Sequence, residues 1–249
     1  MNRILFEKGE ISSDGIAAFG GERAEHVLRV LHGEVGQILK TGEIGGLIGT
    51  GEIVEIAQGA AGGEPQIKVK VSHETESLKP WIDLVLAPPR PRVLKRLLPQ
   101  LSALGVGRIV LVGAKKVEKD FWGATLLKEE IYRPLVVDGL MQSGTSIPSE
   151  MISRRNFRKF LSDELDAMFP DSRRIVAHPY VQKDSARAPG GEENGKRRIL
   201  LAIGPEGGWT EDEVELLEAK GFSRSSLGAR ILRTDTATVA LIARLMEGV

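Results

Sequence analysis

The spacing of apolar residues changes rhythm once along this chain, near residue 80. Before that point, short apolar runs alternate with glycine turns, which predicts strands at 3–6, 37–40, 47–56 and 66–72. Ala24, Val27, Leu28 and Leu31 recur at helical spacing and predict a short helix over 22–31. Residues 58–64 read as a flexible loop, and the polar stretch 73–79 closes this part, so a boundary falls at 74–80. Together, residues 1–75 read as a small β-barrel. From Trp81 onward strands and helices alternate. Apolar runs at 81–87, 108–112, 174–178 and 198–203 predict strands, with a shorter one at 223–227. Helices are expected at 92–104, 125–141, 157–168, 211–220 and 235–246. Pro99 should kink or shorten the first of these, and Pro134 and Gly139 weaken the second. Such alternation predicts an α/β fold with a mainly parallel sheet and helices on both faces, over residues 80–249. Residues 183–196 read as an exposed loop.

Composition narrows the chemistry. The chain has 249 residues, 41% hydrophobic and 27% charged, enough for a real core. There is no cysteine, which removes disulfides, thiolate nucleophiles and cysteine metal sites. The four histidines lack zinc-motif spacing, and nothing points to a metal. No apolar run approaches membrane-span length and the N-terminus lacks a signal-peptide pattern, so a cytoplasmic protein is expected. Net charge is zero, yet its distribution is uneven. Residues 1–78 carry 7 basic and 12 acidic side chains; residues 79–133 carry 11 and 5. A basic middle suits a polyanion surface or a solvated helix face equally well.

Two segments carry candidate chemistry. In the first, the apolar run 200–203 enters Gly204-Pro205-Glu206-Gly207-Gly208, and Thr210 with Glu213 forms a T-x-x-E capping box that starts a helix. Glycines at such a junction let a ligand approach the backbone, at the strand end where open α/β sheets bind ligands. A tight connection without a ligand fits the same pattern. The turn is neither a P-loop nor a dinucleotide fingerprint. In the second, Leu227-Gly228-Ala229-Arg230-Ile231-Leu232-Arg233 leads to Thr234 and Asp235, which can cap a final apolar helix. Arg233 opposes the helix dipole there, which suggests work on a substrate or on RNA; a surface arginine is the plainer alternative.

Together these segments resemble the C-terminal signature of the SPOUT methyltransferases, in particular the RsmE family, which methylates N3 of a uridine in bacterial 16S ribosomal RNA. GPEGG followed by LGxRILRxxTA carries the resemblance. The EHVLRVLHGEVGQ block, Ala103-Leu104-Gly105-Val106, Met141-Gln142-Ser143-Gly144 with Ile147-Pro148, and His178-Pro179 extend it over nearly the whole chain. Ala103 and Met141 stand where the family has glutamates, Asp235 replaces another, and the arginine that usually follows Ser-Gly is missing.

The resemblance implies a SPOUT domain with a C-terminal trefoil knot, a PUA-like RNA-binding barrel over 1–75, and a homodimer. It implies an S-adenosyl-L-methionine pocket made by three loops: His178; Ile203, Gly204, Pro205, Glu206 and Gly207; and Leu227, Gly228, Ile231 and Leu232. On this view the glycines are bare because a side chain would block the cofactor. Arg233 is the catalytic candidate, as anion stabiliser and base-positioning group. Arg3, Arg29 and Arg90 match basic family positions and are RNA candidates, with Arg92, Lys95 and Arg96 adding charge. The expected substrate is small-subunit ribosomal RNA. Another RNA target, or a non-catalytic RNA-binding relative, remains the alternative.

Overall fold

The computed structural model describes residues 2–57, 63–179 and 198–246. The loops expected within 58–64 and 183–196 fall wholly or mostly outside the described residues. Contacts divide the chain into two compact units: 1–79 with 137–148, and 80–136 with 149–249. The sequence places a boundary at 74–80, but the inclusion of 137–148 in the first unit has no local signal.

The first unit is built on a five-stranded mixed sheet in the order β1 (Ile4–Phe6), β3 (Ile38–Glu43), β4 (Ile48–Ala57), β5 (Gln66–Thr75), β2 (Ile16–Phe19). Only the β1–β3 pair is parallel. Helix α1 (Gly21–Arg29) buries Ala24 and Val27 against Phe6, Phe19, Ile53 and Val69. Strand β2 was not expected: its four residues, IAAF, are too short and uniformly apolar for a period to register.

The second unit holds a six-stranded, wholly parallel sheet in the order β11 (Ser223–Ser225), β9 (Arg173–Ala177), β10 (Ile199–Ile203), β6 (Ile82–Leu86), β7 (Val106–Val112), β8 (Glu150–Arg154). The central strands β6 and β10 are buried at every position, as a sheet covered on both faces requires. Alternate side chains separate two cores. Leu84, Leu86, Leu201 and Ile203 meet the apolar faces of α2 (Pro91–Ala103) and α7 (Thr234–Met246). Val85, Val110, Leu200 and Ala202 meet Phe157, Phe160, Leu165, Val214 and Leu217 on the other side. Strand β8 escaped sequence reading because it is an edge strand with no fully buried residue.

Two helix expectations need correction. Pro99 neither shortens nor ends α2, which runs through it to Ala103. Burial of Leu94, Leu97, Leu98 and Leu101 outweighs the one hydrogen bond that a proline removes. The helix expected over 157–168 is instead α4 (Phe157–Lys159), a π-helical turn (Phe160–Glu164) and α5 (Leu165–Met168). Next in the chain from β7, the helix expected from 125 begins later, as α3 (Glu129–Ser143), after a 3-10 turn at Thr125–Leu127. The sixth helix, α6 (Glu211–Ala219), starts on the Thr210–Glu213 box as expected. The trefoil knot depends on the path between β9 and β10, most of which, residues 180–197, lies outside the described residues. No described helix is long and apolar enough to cross a membrane.

Candidate functional site

Because every strand of the second sheet runs the same way, the loops after β9, β10 and β11 emerge along one edge. They enclose a cavity of about 440 Å³, within the ordinary range for a small-molecule site. His178 lines it from the first loop. Ile203, Gly204, Pro205, Glu206 and Gly207 line it from the second, and Leu227, Ile231 and Leu232 from the third. Gly228 is not among the lining residues; its positive φ, +110°, serves the turn, and its N–H donates to the Ser226 hydroxyl at 3.1 Å. Lys116, Trp209 and Arg230, which the sequence did not mark as binding residues, also line the cavity. A loop after β7 delivers Lys116, and nothing in its local sequence marks it.

Local chemistry fixes the second loop. The Glu213 carboxylate is buried and accepts the Thr210 N–H at 2.8 Å and the Lys115 N–H at 2.7 Å. Those bonds hold the start of α6 against the loop after β7. Lys116 Nζ then donates to the Gly207 carbonyl at 2.7 Å. Glu206 Oε1 accepts the backbone N–H of Arg90 at 3.0 Å, so this carboxylate ties the turn to the start of α2. A carboxylate committed in this way is poorly placed to remove a proton, so Glu206 is not assigned as a base.

The glycines require a second correction. A Cβ on Gly204 would lie 2.9 Å from the Trp209 amide nitrogen and 3.2 Å from its Cδ1. A Cβ on Gly207 would meet the Lys116 side chain at 3.0 Å. Gly204 is therefore bare at least so that Trp209 can fold back under the turn. Trp209 is only 6% exposed and stacks on Phe157 at 5.3 Å. Its indole Nε1 is buried with no hydrogen-bond partner among the described residues. The amides of Glu206, Gly207, Ile231 and Leu232 likewise have no intramolecular partner among the described residues. Apolar walls with a few open amides suit a purine nucleoside.

The profile of the RNA methyltransferase domain matches residues 76–246. This chain belongs to the RNA methyltransferase family. The methyltransferase is 31% identical over 245 residues to ribosomal RNA small subunit methyltransferase E of Treponema pallidum, covering 98% of this chain and 90% of that one. It shares its fold with ribosomal RNA small subunit methyltransferase E of Neisseria gonorrhoeae, solved bound to S-adenosyl methionine: TM-score 0.70, 22% identity, 99% and 97% of the two chains. A Legionella pneumophila protein solved with bound SAM is similar, at TM-score 0.72 and 22% identity over 99% and 97%.

The remaining candidates of the methyltransferase fall in different surroundings. Arg233 precedes α7, is exposed, and has no side-chain partner among the described residues; it does not line the cavity, whereas Arg230 does. Arg90 is exposed near Glu118, at 3.9 Å, and Arg29 is exposed beside Glu25, at 4.0 Å. Arg3 is different. Its Nε donates to the Gly144 carbonyl at 2.9 Å, and its Nη1 to those of Thr41 at 2.7 Å and Gly49 at 2.9 Å. This guanidinium is a staple of the first unit, which corrects its reading as an RNA contact. Burial draws its pKa below the ordinary arginine value. Arg96, an expected source of free charge on α2, pairs with Asp235 at 2.8 Å.

Proposed function

We propose that this enzyme transfers the methyl group of S-adenosyl-L-methionine to N3 of a uridine in the RNA of the small ribosomal subunit, and works in the cytoplasm. The observation that carries the reading is the convergence of three loops, with unpaired amides at Glu206, Gly207, Ile231 and Leu232, on one cavity. His178 and the turn Ile203–Gly207 hold the cofactor from one side, and Leu227, Ile231 and Leu232 from the other.

When bound, the cofactor supplies an electrophilic methyl on a sulfonium. The chain's own residues have the rest of the work. The uridine N3 proton has to leave, and the anion that forms needs a cation nearby. Arg233, unpaired among the described residues beside the cavity's Thr234, is suited to that task, with Arg230 beside it on the wall. A base inside a folded RNA has to leave its stack to reach such a cavity. The first unit acts as a PUA-like RNA-binding barrel with Arg29 as an RNA contact, and Arg90 of the second unit is another. The enzyme acts as a homodimer, in which a second copy would cover the exposed neighbours Ile231 and Leu232 on the cavity rim.

Purified protein, labelled S-adenosylmethionine and small ribosomal subunits from a strain without the endogenous enzyme provide the test. Labelled 3-methyluridine in small-subunit RNA is expected. Label only in transfer RNA or large-subunit RNA would move the target, and no label in any RNA would overturn the reading.

A further inference from the structure

A groove of about 550 Å³ lies beside the cavity, lined by Lys115, Arg155 and Arg158 and by the start of α6. The stacked pair Phe157–Trp209 separates the two: Trp209 lines the cavity and Phe157 lines the groove. Neighbouring residues, Lys115 and Lys116, face one each. These groups sit at the carboxyl ends of β7, β8 and β10, the edge that carries the cofactor loops.

The charge of the groove is unbalanced. Lys115 and Arg158 have no side-chain partner among the described residues. Arg155 donates to the Trp122 carbonyl at 3.1 Å and lies 5.6 Å over the Trp122 ring, so its charge is not neutralised. Of the two acids that line the groove, Glu213 is buried and committed to the Thr210 and Lys115 amides, which leaves Asp212. Three cations therefore face one free carboxylate. The larger cavity of about 920 Å³ at the amino ends of the strands has the opposite character. There Arg198 pairs with Asp83 at 2.6 Å, Arg154 with Glu164 at 2.5 Å, and Arg108 lies 3.6 Å from Glu150.

We propose that the Lys115–Arg155–Arg158 groove binds the phosphate backbone of the RNA strand flanking the methylated nucleotide. The inference rests on the proposed function, since it places the reacting nucleotide at the neighbouring cavity. Free cations next to a nucleoside-sized cavity position a strand without reading its sequence. Each phosphate contact gives a salt dependence of its own, with a slope near −0.7 per contact for a single strand.

The test uses the full chain with Lys115→Gln and Arg158→Gln, each made singly, and Arg173→Gln at the opposite edge of the sheet as the charge-matched control. RNA affinity is measured across a salt series, with cofactor affinity by calorimetry and steady-state methylation alongside. Each groove variant is expected to lower the magnitude of the salt slope by about 0.7, weaken RNA binding about tenfold, and raise KM for RNA while kcat and cofactor affinity hold. RNA slopes and affinities no different from those of Arg173→Gln would overturn the proposal. So would a loss of cofactor affinity, because the groove would then act through the cavity. A wild-type enzyme that methylates no RNA would instead bring down the proposed function, and the groove with it.

Discussion

The cavity lined by the loops after β9, β10 and β11 depends on a glycine for a reason that can be tested by comparing it with its neighbour. Gly204 and Gly207 both lie in the turn after β10, and neither has a positive φ, so alanine strains the backbone at neither position. They differ in what a methyl group would strike. At Gly204 it would lie 2.9 Å from a backbone nitrogen and against the ring of Trp209, which is held by its stack on Phe157. Neither neighbour can move without disturbing the core. At Gly207 it would meet only the flexible stem of exposed Lys116. Overpacking a fixed site costs about 1–3 kcal/mol. In a unit of this size, that is a fall in Tm of roughly 2–4 °C per kcal/mol. Gly204→Ala should thus melt about 4–8 °C lower for a cost near 2 kcal/mol. It should also bind S-adenosylmethionine at least tenfold more weakly, because the tryptophan wall shifts. Gly207→Ala should stay within about 0.5 kcal/mol of wild type, as surface changes do. Thermal melting by calorimetry and titration with the cofactor measure both. If Gly204→Ala melts and binds like wild type while Gly207→Ala fails, the steric account of this turn is wrong.

Other expectations follow from the same geometry. Glu206→Gln keeps an oxygen that can accept the Arg90 N–H and should retain most activity, whereas Glu206→Ala should lose about tenfold in cofactor affinity, an ordinary hydrogen-bond contribution; a dead Glu206→Gln with normal cofactor binding would assign Glu206 as the base. Arg233→Ala should abolish methylation with cofactor affinity within a few-fold, and wild-type turnover would remove Arg233 from the mechanism. Hydrogen bonds from Lys220 and Arg174 hold the Asp166 pKa below its ordinary value. Its contribution to stability is therefore present above the usual carboxylate range and is lost as pH falls through the depressed folded pKa. Urea unfolding should show the gap between wild type and Asp166→Asn closing between neutral and strongly acid pH, and a gap that widens in acid would contradict the assignment.

Much of this enzyme was legible in sequence because the central parallel strands are buried at every position and almost wholly apolar, Asp83 being the exception. Runs such as Ile82–Leu86 and Ile199–Ile203 declare themselves, and so does the Thr210–Glu213 box. Edge strand β8 has no such run. The cavity's lining was foreseen where motif and loop coincide, at His178, Gly204 and Leu232. Lys116 entered it only through tertiary folding, since loops distant in sequence meet where parallel strands end together, while Trp209 and Arg230 lie in or beside the two motifs. Arg3 misled for the converse reason: residue type gives charge, while only the fold tells which carbonyls surround it.

The first unit draws on a stretch from the middle of the chain, and this limits how the protein can be dissected. The amides of Asn2 and Arg3 donate to the Met141 carbonyl, and Ser146 is hydrogen-bonded to Ser77 and Gly46. A fragment ending at Lys79 would expose a surface made to receive residues 137–148, and its complement would carry those residues with nowhere to dock. Neither half is a portable module, so deletions that aim to assign RNA binding to one unit would damage both, and point substitutions are the sounder instrument.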